Sequence, residues 1–98
     1  MVLHTVNSSP KNSHCLADCL RVITPPALLL LIEDGVYGAT DANKALWQSL
    51  PKEVECYVLQ ADIDARGLAQ LITPHFSPVD DSGFVELTIR ATKVQSWY

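Results

Sequence analysis

The sequence predicts a small α/β domain with a mainly parallel sheet of four to five strands flanked by helices. Three observations predict this class. Short β-branched or apolar segments alternate with amphipathic segments of helical period. The apolar run at residues 27–32 is typical of a strand covered on both faces. Finally, a chain of 98 residues that is 48% hydrophobic is too short for a second, independently folding core, so residues 1–98 are expected to form one domain.

The first strand is predicted at residues 2–6, which are short and rich in β-branched side chains. A helix should follow, because Asn12 or Ser13 can cap its first turn and apolar residues recur at i, i+3, i+4 and i+7. That apolar stripe consists of Leu16, Cys19, Leu20 and Ile23. Two consecutive prolines then end the helix, since proline removes a backbone donor and restricts the residue before it.

The apolar run at residues 27–32 is the predicted central strand, and a turn signal follows it at residues 33–35. Residues 41–50 predict a short helix that a proline ends. Residues 54–59 alternate in polarity, which predicts a third strand with Cys56 facing inward.

The last third of the chain predicts two helices and a weak strand. Residues 62–72 favour a helix, although Gly67 inside it costs about 1 kcal/mol relative to alanine. Residues 76–79 favour a short strand between prolines. Residues 83–93 favour a final helix, with Phe84, Leu87 and Ala91 on its apolar face and Asp80, Asp81 and Ser82 as N-cap candidates.

Composition excludes several classes of function. The net charge is −4, and the seven lysines and arginines are scattered singly, so direct nucleic-acid binding is not expected. The longest apolar run has six residues, against roughly 20 needed to cross a bilayer, so no membrane partner is expected. Three cysteines cannot all pair and no secretory leader is apparent, which predicts a cytoplasmic protein. No phosphate loop, dinucleotide fingerprint, nucleophile elbow or C-x-x-C is present, so no cofactor is expected.

Cys19 is the residue most suited to covalent chemistry. A thiolate is a nucleophile and can carry a terminal sulfur as a persulfide, provided that it is ionised and accessible. Cys19 follows the predicted helix start closely and has Arg21 nearby, yet it lies on the apolar stripe, where cysteine acts as a small buried hydrophobe. Cys15, one turn earlier, is expected at the surface; a metal site built from it and His14 lacks ligands, so no metal is expected.

Other polar groups have structural interpretations. Asp62, Asp64 and Asp80 flank predicted helix starts, where carboxylates cap the backbone. His4 in the first strand is interpreted as a hydrogen-bonded core histidine. Large aromatic residues at a chain end indicate docking, so Trp97 and Tyr98 are candidates for contact with this fold or with a partner. A ligand, if one binds, is expected at the carboxyl ends of the strands.

The sequence resembles the DsrH/TusB family nearly from end to end. The fragments that carry the resemblance are Leu3-His4-Thr5-Val6-Asn7 with Ser9-Pro10, Leu28 to Leu31 followed by Glu33-Asp34-Gly35-Val36-Tyr37, Tyr57-Val58-Leu59 with Asp62, Ala65-Arg66-Gly67, Gly83-Phe84-Val85 with Leu87-Thr88, and Val94-Gln95-x-Trp97. The resemblance implies a DsrE/DsrF-like fold and a subunit of a cytoplasmic sulfur-relay complex. Its implied partners are TusC/DsrF-like and TusD/DsrE-like chains in a heterohexamer and a downstream TusE/DsrC-like acceptor.

The family divides over the cysteine in the first helix. DsrH-type members carry it within a Cys-Leu pair, which Cys19-Leu20 matches, whereas some TusB members lack it, which implies that the main sulfur-carrying cysteine lies in a partner chain. Three hypotheses follow. The chain relays persulfide sulfur on Cys19, for 2-thiolation of the tRNA wobble uridine or for oxidative sulfur metabolism; it is a non-catalytic structural subunit; or it is a small-ligand binding module that uses the strand ends around Asp34 to Tyr37.

Overall fold

The computed structural model describes residues 1–98 as one parallel sheet with helices on both faces. The strands are β1 (Val2–Val6), β2 (Ala27–Leu31), β3 (Val54–Leu59), β4 (Ser77–Val79) and β5 (Lys93–Trp97). The helices are α1 (Cys15–Val22), α2 (Gln60–Ala65) and α3 (Asp81–Arg90), with two 3-10 helices at Glu33–Ala39 and Asp41–Leu46. The strand order is β4-β3-β2-β1-β5, and every pair is parallel, as the sequence predicts.

The sheet separates two apolar cores of unequal size, with β2 at its centre. All five residues of β2 are buried, which confirms it as the central strand. The larger core packs β1, β2 and β3 against α1, α2 and the 3-10 segment, which comprises the two 3-10 helices and Trp47 (residues 33–47). The smaller core packs Leu3, Leu28 and Leu30 against Leu87 of α3. The chain steps from β1 to β4 on one face, and α3 then returns it to β5 on the other, as right-handed crossovers require. None of these helices combines the length and the apolar character needed to cross a membrane.

The helix predicted at residues 41–50 is wrong in type and extent, because side chains compete for its backbone. The second 3-10 helix occupies only Asp41–Leu46. Thr40 Oγ1 and Asn43 Nδ2 both donate to the Tyr37 carbonyl, at 2.8 and 3.0 Å. Such local bonds offer the backbone an alternative to the α-helical ladder. The turn predicted at residues 33–35 is likewise the start of the longer first 3-10 helix, Glu33–Ala39.

The helix predicted at residues 62–72 is shorter because Gly67 ends it. Gly67 has a φ of +64°, and its N–H donates to the Asp64 carbonyl at 3.2 Å, while the Leu68 N–H donates to the Ile63 carbonyl at 3.0 Å. This pair of bonds is a Schellman motif, in which a glycine in the left-handed conformation satisfies the last carbonyls of a helix. Gly67 is therefore a helix terminator rather than a weak point inside a longer helix.

The predicted N-cap is present in α3 but not in α1. Asp80 accepts a hydrogen bond from the Gly83 N–H at 2.8 Å and caps α3, as predicted. Helix α1 starts later than predicted, at Cys15, and neither Asn12 nor Ser13 is its N-cap. Ser13 Oγ nevertheless accepts from the Cys15 N–H at 2.9 Å, so it satisfies one donor of the first turn.

Gly35 lies where the first 3-10 helix passes directly over the end of β1. A Cβ atom at this position would lie 2.1 Å from the Val6 carbonyl oxygen and 2.9 Å from the Val6 carbonyl carbon. Those atoms belong to a strand that is paired on both sides. The chain therefore requires glycine here so that two backbone segments can approach closely.

Candidate functional site

Cys19 lies on the inner face of α1 and is fully buried in the larger core. Burial, with a smaller contribution from the nearby Cys15, raises the pKa of the Cys19 thiol to about 12. With that pKa, the thiol of Cys19 is almost entirely un-ionised at pH 7. In this conformation Cys19 is therefore a neutral thiol out of contact with solvent, although its position matches the candidate sulfur carrier.

The other two cysteines have different surroundings. Cys56 faces the larger core, as predicted, and burial raises the pKa of its thiol to about 12. Cys15 begins α1 and is half-buried. Residues one helical turn apart have Cβ atoms about 5–6 Å apart, whereas a disulfide needs about 3.8 Å. Cys15 and Cys19 thus cannot form a disulfide unless α1 unwinds.

His4 and Trp97 join the first and last strands through a side-chain hydrogen bond. Trp97 Nε1 donates to His4 Nδ1 at 3.1 Å, so the imidazole accepts at that nitrogen. Burial, together with the positive charge of Lys93, lowers the pKa of His4, which favours the neutral, accepting form. The prediction of a hydrogen-bonded core histidine is confirmed. Trp97 is anchored to this fold, whereas the side chain of Tyr98 is 87% exposed.

A network of charges ties the carboxyl ends of β2 and β3 together. Arg66 Nε donates to Asp34 Oδ1 at 2.8 Å, and Arg66 Nη1 lies 3.5 Å from Asp62 Oδ1. The hydrogen bond that Arg66 donates to Asp34 is the main reason that the pKa of Arg66 is raised. Asp62 Oδ2 also accepts from the Glu33 N–H at 2.6 Å. The network fixes the loop that leaves the central strand.

This network corrects the capping roles predicted for Asp62 and Asp64. Asp62 binds Glu33 and Arg66, and Asp64 accepts from Gln60 Nε2 at 2.8 Å, so neither caps a helix. Asp62 does lie in the first turn of α2, where a carboxylate complements the helix dipole as predicted. No local pattern distinguishes a carboxylate that caps its own helix from one that binds a loop 29 residues away. The contact between Asp62 and Glu33 could have been predicted from their positions after β3 and β2, because the carboxyl ends of adjacent parallel strands meet at one edge of the sheet.

A second polar cluster links β3 to α3 on the opposite face. The Tyr57 hydroxyl donates to Glu55 Oε1 at 2.6 Å, and Arg90 Nη2 donates to Glu55 Oε2 at 2.9 Å. These two hydrogen bonds, that from Arg90 first, lower the pKa of Glu55. The sequence pattern does not indicate this cluster, because Arg90 is 33 residues from Tyr57 and 35 residues from Glu55. Its groups satisfy one another, so it secures α3 rather than offering a free site.

The chain is similar to known proteins over nearly its whole length. A family model described as "DsrH like protein" matches residues 8–94. Protein TusB of Escherichia fergusonii is 35% identical over 96 residues, which are 98% of this chain and 100% of that protein. Protein TusB of Shigella boydii serotype 18 is 34% identical over the same coverage. The crystal structure of the ychN protein from E. coli superimposes with a TM-score of 0.85 over 97% of each chain, at 18% identity, which confirms the predicted fold class.

Proposed function

Because the chain belongs to the DsrH/TusB family, we propose that it is a subunit of a TusBCD/DsrEFH-like sulfur-relay complex that serves 2-thiolation of the tRNA wobble uridine. The observation that carries the proposal is the full-length similarity to proteins named TusB. Its proposed partners are TusC/DsrF-like and TusD/DsrE-like subunits in a cytoplasmic heterohexamer. A TusE/DsrC-like protein is the proposed acceptor of the sulfur.

A second role within the same family is a DsrH-type subunit in oxidative sulfur metabolism. The family model bears the DsrH name, which supports this role, while the relatives named TusB favour tRNA thiolation. The two roles use the same kind of assembly and differ in the final acceptor. Genes for dissimilatory sulfite reductase beside the gene for this chain would favour oxidation.

Sulfur transfer to Cys19 requires only thiol exchange. The Cys19 thiolate attacks the terminal sulfur of a donor persulfide R–S–SH, a new S–S bond forms on Cys19, and the donor leaves as the thiolate R–S⁻. No oxidant is consumed. The burial of Cys19 and its raised pKa oppose this step in the isolated chain. We therefore propose that transfer to Cys19 takes place only in the assembled complex, where partner subunits displace α1 enough to admit the donor.

The isolated chain and the assembled complex are expected to differ when they are incubated with a low-molecular-weight persulfide. Mass spectrometry of the intact chain and of its peptides should show no added sulfur at Cys19 in the isolated chain and one added sulfur at Cys19 in the complex. Cys19→Ser should abolish the addition. Cys56→Ser is the matched control, because Cys56 is also buried with its pKa raised to about 12, and it should leave the addition intact.

Two outcomes separate the parts of this proposal. If the complex transfers sulfur but Cys19 stays unmodified and Cys19→Ser is silent, the carrier role is wrong and the chain is a structural subunit. If transfer by the TusC/TusD-like partners is the same with and without this chain, the assignment to a sulfur relay is itself wrong.

Tyr98 is the part of the terminal aromatic pair that is free to contact a partner. Tyr98→Ser should leave the stability of the isolated chain within about 0.5 kcal/mol, because the side chain is exposed. It should weaken assembly with TusC/TusD-like subunits by about 1–2 kcal/mol if it is an anchor of the interface. Leu71→Ser, at another exposed apolar residue, serves as the control in the same sedimentation assay. Unchanged assembly by the Tyr98 variant would remove Tyr98 from the interface.

A further inference from the structure

A cavity of about 370 Å³ opens beside the carboxyl ends of β1 and β2, and the proposed sulfur relay makes no use of it. One wall is the loop between β1 and α1, and the other is the first 3-10 helix. The residues that line it are Ser9, Lys11, Asn12, Asp34 and Tyr37. We propose that this cavity binds a small zwitterion of the α-amino acid class, with its carboxylate toward Lys11 and its ammonium toward Asp34.

The charges that line the cavity come from different walls and do not neutralise each other directly. Lys11 has no carboxylate within 4 Å, and the ion pairs of the chain join other residues. Asp34 Oδ1 accepts a hydrogen bond from Arg66 Nε, whereas Asp34 Oδ2 has no hydrogen bond within the chain. A simple anion would meet the carboxylate of Asp34, and a simple cation would meet Lys11. A molecule that carries both charges satisfies both walls.

Three uncharged groups add hydrogen-bonding capacity. The Asn12 amide and the Tyr37 hydroxyl have no side-chain hydrogen bond within the chain, although each lines the cavity. Ser9 Oγ accepts from the Lys11 backbone N–H at 3.2 Å and retains its own proton to donate. The cavity is therefore lined by several donors beside Lys11, as the two oxygens of a carboxylate require. Its volume is within the range of small-molecule sites and accommodates an amino acid with a short side chain.

The residue before Asp34 has an unusual backbone conformation. Glu33 has a φ of +50°, in the left-handed region that non-glycine residues rarely adopt. The Glu33 N–H donates a hydrogen bond to Asp62 Oδ2 at 2.6 Å, and the next residue, Asp34, accepts one from Arg66 Nε. Strained conformations of this kind persist where surrounding contacts impose them and are concentrated at functional sites. The bonds to Asp62 and Arg66 fix the carboxylate of Asp34 before a ligand arrives, which lowers the entropic cost of binding.

Calorimetry on the full chain tests the proposal with three probes of similar size. L-alanine carries both charges, propionate lacks the ammonium, and ethylamine lacks the carboxylate. L-alanine should bind, and each of the other two should bind about two- to fivefold more weakly, because each lacks one ion pair and the side chains of Lys11 and Asp34 are exposed to solvent. Equal binding of propionate or of ethylamine would make this a simple anion or cation site and overturn the proposal. Absence of L-alanine binding up to about 20 mM would do the same.

Variants locate the binding independently of sulfur transfer. Lys11→Met and Asp34→Asn should each weaken L-alanine binding about two- to fivefold, as the loss of an exposed ion pair does. Lys52→Met is the matched control, since Lys52 is also without an ion pair and lines a different cavity, and it should bind as the unaltered chain does. Because Asp34 holds Arg66, thermal unfolding must show that its variant is folded. Tyr37→Phe, outside the ion pairs, provides a second variant that should bind more weakly. L-alanine binding retained by both the Lys11 and Tyr37 variants would overturn the proposed site.

Discussion

Gly35→Ala is expected to destabilise the chain by at least about 3 kcal/mol, which is a large part of the 5–15 kcal/mol typical of a domain. The added methyl group would lie 2.1 Å from the Val6 carbonyl oxygen. That oxygen cannot rotate away as a side chain would, because it accepts from the Ile32 N–H at 3.0 Å. Relief of the collision requires the first 3-10 helix to separate from β1, which removes packing from the larger core. Urea denaturation followed by circular dichroism measures the loss.

Gly67→Ala is the matched control for this prediction. Gly67 has a φ of +64°, but no atom lies within 4 Å of a Cβ built there. Its cost is therefore that of a left-handed non-glycine residue, about 1–2 kcal/mol. If the urea midpoint of Gly35→Ala equals that of Gly67→Ala, the close approach to β1 does not determine stability, and the argument for glycine at position 35 is wrong.

Trp47→Ala is expected to cost about 3–5 kcal/mol, as truncation of a large buried aromatic side chain does. Trp47 follows the second 3-10 helix and is 5% exposed. Its indole stacks on His75 with ring centroids 4.6 Å apart and meets the edge of Phe76 at 5.2 Å. Its Nε1 donates to the Gly38 carbonyl at 2.8 Å. Removal leaves a cavity and a buried carbonyl without a partner, so the melting temperature should fall by roughly 4–8 °C per kcal/mol.

The second tryptophan supplies a comparison within the same chain. Trp97→Ala removes one hydrogen bond to His4 and the packing of a half-buried ring at the sheet edge, so its melting temperature should fall less. Trp47→Phe separates the two contributions at position 47, because it keeps much of the ring packing and loses only the donor, at a cost of about 1–3 kcal/mol. A larger fall for Trp97→Ala than for Trp47→Ala would contradict the importance given to the 3-10 segment.

Strands β1 to β4 were predictable because their signals are local. Strand β5 was not predicted: the helix expected at residues 83–93 spans Asp81–Arg90 instead, and a strand begins at Lys93. The uninterrupted apolar run of β2 and the alternation of β3 reflect burial on two faces and on one face, respectively. The cap at Asp80 is also local, since donor and acceptor are three residues apart. The 3-10 segment was missed because Thr40 and Asn43 bond to the backbone of Tyr37, and propensity rules do not include such competition. The end of α2 was missed because Gly67 has the same helix propensity whether it interrupts a helix or terminates one.

Only part of the candidate site was predictable. The apolar stripe of α1 placed Cys19 toward the core, but its full burial depends on the strands beneath α1 and on the 3-10 segment beside it. The pairing of Asp34 with Arg66 joins residues 32 positions apart, and the strand order brings them to one edge. The exposure of Tyr98 and the anchoring of Trp97 differ although the two residues are adjacent, because only Trp97 reaches His4.

The pairing of the first strand with the last bears on the order in which the molecule folds. β1 pairs with β2 across the connection at residues 7–26, but the contacts between β1 and β5, such as Thr5 with Ser96, join residues 91 positions apart. Closing this longer loop costs more chain entropy than closing the loop between β1 and β2, so the contacts between β1 and β5 are expected to form after those between β1 and β2. Until β5 arrives, one side of β1 has unpaired backbone groups, as any edge strand does. The nascent sheet is therefore open for association along β1 during folding, and that opening closes only when β5 docks.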